Sequence, residues 1–340
     1  MDFSFTEAQG DLAELTRSIL TGRERVEVTG PDRFDPALWA ALNAAGILSV
    51  SDFGFLEQCS VLVELGREVA AVPYLPSMVA TSALAEFGTL TSPSAVHTVA
   101  LSASSDDEVR ATRSSGGWSL NGSKSCVPAG GVASLILVPA QTPDGVLVFL
   151  VSPEDSGVSL ERQVIVDTDS EAWLDLAEVA LPESRVLGGP EVLEWLTARY
   201  VVGLCALQLG VIERALEMTA SYARTRVQFE RPIGSFQAVA QRLADAYVDV
   251  EAVRLTLWQA AWRVSTGLPA DIEVATAKFW AADAGHRVAH TAVHVHGGMG
   301  IDTDYPLHRY FVAAKRNEFT LGGATAQLRR IGAVIASTPA

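Results

Sequence analysis

Cysteine is scarce in this 340-residue sequence. Cys59, Cys126 and Cys205 are an odd count without metal-ligand spacing, which argues against a disulfide framework or a cysteine-based metal site and fits a reducing cytoplasm. Positive charge is short as well: 25 Lys and Arg face 40 Asp and Glu, a net charge of −15 spread along the chain rather than gathered in a tail. Such a balance opposes binding to nucleic acid or to anionic membrane surfaces. No uninterrupted apolar run approaches the ~20 residues of a membrane-spanning helix, and the opening stretch MDFSFTEAQGDLAEL is acidic, not a basic segment leading into an apolar one. Nor is there a dinucleotide fingerprint between a strand and a helix: Gly116-Gly117 and Gly130-Gly131 are turns. No recognisable Ser-His-Asp signature is present. The expectation is a soluble cytoplasmic protein without nucleic-acid or membrane partners.

What is there is globular texture. With 49% hydrophobic and 19% charged residues the chain can bury a sizeable core, and its length favours two or three parts over one. The first ~95 residues read as helices, to within the few-residue error of such boundaries. Thr6 and Gln9 make a capping box before Leu12, Leu15 and Ile19; Asp35-Pro36 starts a second helix; Cys59 to Ala71 and Ser77 to Phe87 give two more. From 96 to 188 short β-rich runs alternate with turn residues, an antiparallel β domain in which Asn121-Gly122 reads as a hairpin turn. From 189 to 340 helical periodicity returns over Val192 to Thr225, Phe236 to Thr266, Pro269 to His296 and Ala324 to Ala336, which predicts a four-helix bundle. The fold class is α+β, with domains 1–95, 96–188 and 189–340.

Two motifs sharpen this order. Arg226-Val227-Gln228-Phe229-Glu230-Arg231-Pro232-Ile233 is followed by Phe236-Gln237, and His294-Val295-His296-Gly297-Gly298-Met299-Gly300 by Asp304-Tyr305-Pro306 and Arg309. At these residues the chain resembles the acyl-CoA dehydrogenase family over essentially its whole length. An arginine offers charge-assisted hydrogen bonds to a pyrophosphate, and a glycine pair lets backbone amides approach it closely. The resemblance implies FAD as cofactor, with Arg226, Phe229, Gln237, Gly297 and Gly298 reaching the flavin seated in a neighbouring subunit, and His294, where the family often has Gln, hydrogen-bonding to it. Glu230 departs from the family, which usually has Gly there.

Dehydrogenating an acyl-CoA requires a carboxylate to take the α-proton while a hydride leaves to the flavin. The family carries this glutamate before its last helix or, in some branches, before an arginine early in the helical domain. Here the first position falls at Leu321 or Gly323, depending on alignment, and the second at Ala198; Glu318 is the nearest alternative. In the β domain, Leu101-Ser102-Ala103-Ser104 and Cys126-Val127-Pro128 replace the family's Thr-Glu-Pro and Trp-Ile-Thr segments beside the isoalloxazine. Pro128 thus removes a hydroxyl and an N–H. Own-site residues are lost and partner-reaching residues persist, as in the small, base-less subunit of α2β2 dehydrogenases acting on CoA thioesters of sterol side chains, a subfamily whose Gly-Gly segment is matched by Gly322-Gly323.

The resemblance therefore implies a base-containing acyl-CoA dehydrogenase subunit as partner, an acyl-CoA substrate oxidised to the 2,3-enoyl-CoA, and an electron-transfer flavoprotein as acceptor. Two rival readings are a self-sufficient flavoenzyme using Glu318, and a non-catalytic scaffold or acyl-CoA-binding chain. His286, His290 and His294 form a helical stripe that invites a metal reading, but lack an acidic or cysteine ligand at matched spacing; packing or flavin contact is the better account. Trp258 and Trp262, one turn apart, read as a packing face.

Overall fold

The computed structural model describes residues 4–23, 33–49, 52–88, 94–101, 107–166 and 169–337. Nine α-helices and ten strands are formed among them. Helix α1 (Glu7–Thr21) opens on the expected capping box: Thr6 accepts from the Gln9 amide and the Gln9 side chain accepts in return. Helix α2 (Pro36–Ala44) starts at Asp35, whose carboxylate accepts from the Leu38 amide, with Pro36 in the first turn. Helices α3 (Phe55–Glu68) and α4 (Tyr74–Phe87) follow, each starting a few residues earlier than periodicity alone indicates.

The chain forms two compact units. One comprises Arg23–Gly54 and Ala71–Tyr200. Its centre is an eight-stranded sheet of β1 (His97–Val99), β2 (Val109–Ser114), β3 (Gly117–Pro128), β4 (Leu135–Thr142), β5 (Gly145–Val151), β6 (Val158–Gln163), β7 (Glu171–Leu181) and β8 (Val186–Gly188). The order is β6-β7-β3-β2-β4-β5-β8, with β1 beside β4. Pairing is antiparallel except where β4 meets β1 and β2 in parallel. Apolar residues of β4 and β5, Ile136, Leu137, Val138, Val148 and Phe149, are fully buried.

Asn121-Gly122 is not a hairpin turn, contrary to expectation. The β2-β3 turn lies at Ser115-Gly116, and Asn121-Gly122 sits inside β3. There Gly122 (φ 128°) occurs where the register with β7 shifts between Leu120 and Gly122, and a Cβ would stand 2.1 Å from the Glu108 carbonyl. The glycine serves a bulge and a close approach, two uses the dipeptide signal does not separate from a turn.

The other unit comprises Met1–Gly22, Phe55–Ala70 and Val201–Ala340. It contains the greater part of α5 (Pro190–Thr225), then α6 (Gln237–Ser265), α7 (Asp271–His296), α8 (Leu307–Phe319) and α9 (Ala324–Ser337). Helices α3 and α5 approach at glycines: a Cβ on Gly66 would lie 2.2 Å from the Leu207 carbonyl, and one on Gly210 2.0 Å from that of Val63. Helix α8 adds a fifth member to the expected bundle of four. It is anchored by Leu307, Tyr310, Ala313 and Ala314, which pack with Val211, Ala215, Ala289 and Ala292, while the Tyr310 hydroxyl donates to the Arg67 carbonyl at 2.8 Å. Trp258 is buried and meets Phe5 edge-on at 4.9 Å, in keeping with a packing role. By length and composition α5 alone among the described helices could cross a membrane, yet 72% of its apolar window is buried inside the fold, as in a core helix.

Candidate functional site

At the end of α5 the chain turns back on itself. The Arg226 amide donates to the Tyr222 carbonyl (2.8 Å), β9 (Val227–Gln228) pairs antiparallel with β10 (Arg231–Pro232), and the Ile233 amide closes the hairpin on the Arg226 carbonyl (2.8 Å). Both tip residues are left-handed, Phe229 at φ 51° and Glu230 at φ 64°, as a mirror-image type I turn requires. Glu230 thus occupies a conformation that glycine adopts without steric cost. Phe229 is 86% exposed, its ring edge-on to Phe236 at 6.1 Å; the Arg231 guanidinium lies over Phe236 at 4.1 Å. Arg226 is exposed and its guanidinium makes no hydrogen bond or ion pair among the described residues. Gln237 begins α6, whose N-cap residue Phe236 makes no side-chain cap bond; the Val239 amide turns back to the Phe236 carbonyl at 3.0 Å, which leaves those of Gln237 and Ala238 for an anion.

The second motif ends α7. Gly297 has φ 62° and ψ −137°, a backbone region open essentially to glycine, and no atom lies within 4 Å of where a Cβ on Gly297 or Gly298 would stand. The Cβ side of both glycines therefore faces open space, while the Gly297 amide donates back to the Val293 and His294 carbonyls. His294 is exposed beside them. The two motifs converge through a core group: the rings of Tyr222 and His296 stack at 4.3 Å, and the Tyr305 hydroxyl lies 3.3 Å from His296 Nε2. Arg226 follows Tyr222 by one helical turn and Gly297 follows His296 directly, so the structure brings Arg226, Phe229, His294, Gly297 and Gly298 to the same end of this unit.

The base positions are different in character. Leu321 (φ 55°) and Gly322 (φ 92°) form a tight turn after α8, its carbonyls capped by Gln327 Nε2 at 3.1 Å each. Lys278, fully buried on α7, donates to the carbonyls of Asn317 (2.9 Å) and Glu318 (3.0 Å) at the end of α8; burial lowers its pKa to about 8. Ala198 lies on α5 beside Arg199, whose guanidinium stacks on Trp195 at 3.7 Å. Neither position offers a proton acceptor. Glu318, the alternative, is occupied: Lys315 Nζ lies 2.5 Å from its Oε2 and His286 Nδ1 3.1 Å from the same atom. His286 in turn contacts His290 at 4.3 Å, and His290 meets Phe311, so that the histidine stripe divides between a carboxylate contact, a packing contact and an exposed His294.

In the β unit, Cys126 is left-handed (φ 50°) within a bulge of β3, and its amide donates to Gln163 Oε1 at 2.5 Å. The Pro128 carbonyl accepts from Thr98 Oγ1 at 2.5 Å. Burial raises the Cys126 thiol pKa, so this sulfur is protonated at neutral pH. Of the other segment singled out in the sequence, Leu101 is buried, and Ser102-Ala103-Ser104 lies outside the described residues.

Helices beside a mixed sheet, followed by a long helical region, are the architecture of an acyl-CoA dehydrogenase. The family description Acyl-CoA dehydrogenase, C-terminal domain, matches residues 191–336. The chain is 49% identical to Acyl-CoA dehydrogenase FadE27 of Mycobacterium tuberculosis, with all of both chains covered. Among solved structures it is similar to a chain of the ChsE4-ChsE5 complex from Mycobacterium tuberculosis, at 49% identity, TM-score 0.94 and full coverage of both. A variant of the Tcur3481-Tcur3483 steroid ACAD matches at 39% identity and TM-score 0.91, covering 97% of this chain and 98% of that one. The chain belongs to the acyl-CoA dehydrogenase family, and the enzyme class implied by its motifs stands with it.

Proposed function

We propose that this chain is the base-less subunit of a heteromeric, FAD-dependent acyl-CoA dehydrogenase that oxidises a steroid side-chain CoA thioester to the 2,3-enoyl-CoA. The observation that carries the reading is a contrast within one chain: Arg226, Gly297 and Gly298 are exposed and free of covering side chains, while both base positions hold residues that cannot accept a proton. The donor set suits an anionic pyrophosphate. Arg226 supplies a fixed positive charge, Gly297 and Gly298 place no side chain in the way of an approaching phosphate, and the start of α6 adds the amides of Gln237 and Ala238. Phe229 offers an aromatic face and His294 a ring nitrogen for the rest of the nucleotide. The Glu230 carboxylate works against the anion and lowers the affinity without removing the donors.

Bound FAD would accept the substrate's β-hydride. This chain's residues would hold the pyrophosphate from across the interface and keep water from that edge, while a carboxylate of the partner subunit takes the α-proton. Electrons would leave to an electron-transfer flavoprotein. The similarity to the steroid ACAD and to the ChsE4-ChsE5 complex supports both the steroid substrate class and the two-subunit assembly.

The test is flavin absorbance per chain, for the protein purified alone and then co-expressed with a base-containing family member from the same genome. Absence alone, with one FAD per heterodimer on co-expression, is expected, and Arg226→Ala should lower that occupancy. Full loading of the isolated chain would instead favour the self-sufficient enzyme. A flavin-free heteromer would favour the scaffold.

A further inference from the structure

Tyr222, His296 and Tyr305 take no part in the ligand contacts proposed above, yet they meet where the two motifs converge. The Tyr222 and His296 planes are inclined by only 21°. His296 Nδ1 lies 2.8 Å from the Ala292 carbonyl, which can only accept, so the ring proton is on Nδ1 and Nε2 is left as an acceptor. The Tyr305 hydroxyl supplies the matching donor. His296 is 4% exposed, and burial lowers its pKa, which keeps the ring neutral and this arrangement of donors intact. The three side chains come from α5, α7 and the turn before α8. Among the described residues no backbone hydrogen bond joins residues 219–237 to residues 290–305, so the junction is made by side chains.

We infer that Tyr222, His296 and Tyr305 are a positioning triad, which sets the separation between Arg226 and the Gly297-Gly298 peptides and thereby the affinity for a pyrophosphate-bearing ligand. The inference rests on the cofactor role proposed above. A diphosphate gripped from two helix ends gains its full set of charge-assisted hydrogen bonds only when both ends are pre-aligned. A stacked pair stabilises the junction beyond its buried area, and a buried acceptor deprived of its donor adds a further loss. Loosening the triad should therefore weaken binding without removing any contacting group.

The experiment uses the co-expressed heteromer and three variants of this chain. Tyr222→Leu removes the stack, Tyr305→Phe removes one hydroxyl, and Tyr222→Phe keeps the ring. The first should raise the FAD dissociation constant about tenfold, the effect of losing one aromatic pair, and Tyr305→Phe should raise it less. Both should speed hydrogen exchange at the Gly297 and Gly298 amides and leave the KM for acyl-CoA unchanged at saturating FAD, and Tyr222→Phe should restore wild-type values. Unchanged FAD affinity and exchange in Tyr222→Leu, with Arg226→Ala still weakening FAD, would overturn the triad alone. If Arg226→Ala also has no effect, the cofactor role itself falls, and the inference with it. Should Tyr222→Leu fail to assemble, Tyr305→Phe decides by the same two measurements, since it leaves no cavity.

Discussion

Lys315 holds Glu318: the ammonium, one turn earlier on α8, sits 2.5 Å from the carboxylate, and His286 approaches the same oxygen from α7. A catalytic base must be free to meet the substrate's proton, and this carboxylate is engaged on both sides. Its side chain is only 14% exposed.

Glu318→Gln should accordingly leave flavin reduction by acyl-CoA in the assembled enzyme within about twofold of wild type, whereas loss of a true general base costs roughly a hundredfold or more. Rapid-mixing absorbance at the flavin band is the measurement. A hundredfold loss with assembly and flavin content intact would make Glu318 the base.

Glu230 holds a left-handed conformation at the tip of the Phe229-Glu230 hairpin and places a carboxylate beside Arg226 and Arg231 in sequence. Glu230→Gly removes both the strain and the charge. After the entropy glycine adds to the unfolded chain, thermal unfolding should show a gain of about 0.5–1 kcal/mol. FAD titration of the heteromer should show tighter binding, with a weaker dependence of the gain at high salt. A destabilised variant would mean that the Glu230 side chain has a stabilising partner in solution.

Much of this was legible in the sequence because the signals are local. The capping box at Thr6 and Gln9, the Asp35-Pro36 start and the long periodic helices depend on near neighbours, and the structure keeps them. The segments around Arg226 and Gly297-Gly298 are legible as motifs, and their convergence is not: it depends on Tyr222 meeting His296 across 74 positions of chain. Helix α8 was hidden because its opening, Tyr305-Pro306, was read as part of a motif and its short apolar stripe competes with charged neighbours. Lys278 gave one faint sign, a lone cation within the apolar run from Val274 to Ala282. Nothing in the sequence tells that its ammonium caps α8, because the partners are backbone carbonyls 39 and 40 residues away.

The buried Lys278 has a pH signature. Its pKa falls from 10.5 to about 8 on folding, chiefly by burial. Below pH 8 both states carry the proton and the folded state bears the desolvation cost. Between about 8 and 10.5 the unfolded state binds more protons, so this group makes stability rise with pH, by on the order of 3 kcal/mol across the window. Cys205, pushed up to about 12 by burial, acts in the opposite direction from pH 9 upward. The difference between wild type and Lys278→Met, followed by urea unfolding from pH 7.5 to 10.5, isolates the lysine: the variant should lack the rising component. Parallel pH profiles for the two proteins would count against a lowered Lys278 pKa in the folded core.

Helix α9 is amphipathic, but Gln327 is its only buried residue, and Leu328 and Ile335, seven positions apart on one face, are 53% and 61% exposed. An apolar stripe left open in the isolated chain marks an interaction site when neighbouring surfaces are polar. If that stripe is covered by the dehydrogenase partner, Leu328→Glu with Ile335→Glu should leave the isolated chain's thermal midpoint within the small range of ordinary surface changes, roughly 0.5 kcal/mol. The same pair should shift the co-expressed complex to separate subunits in light scattering, since two carboxylates would be desolvated without partners at the interface. Retention of the complex at wild-type mass would exclude α9 from the contact and leave the exposed stripe to some other role.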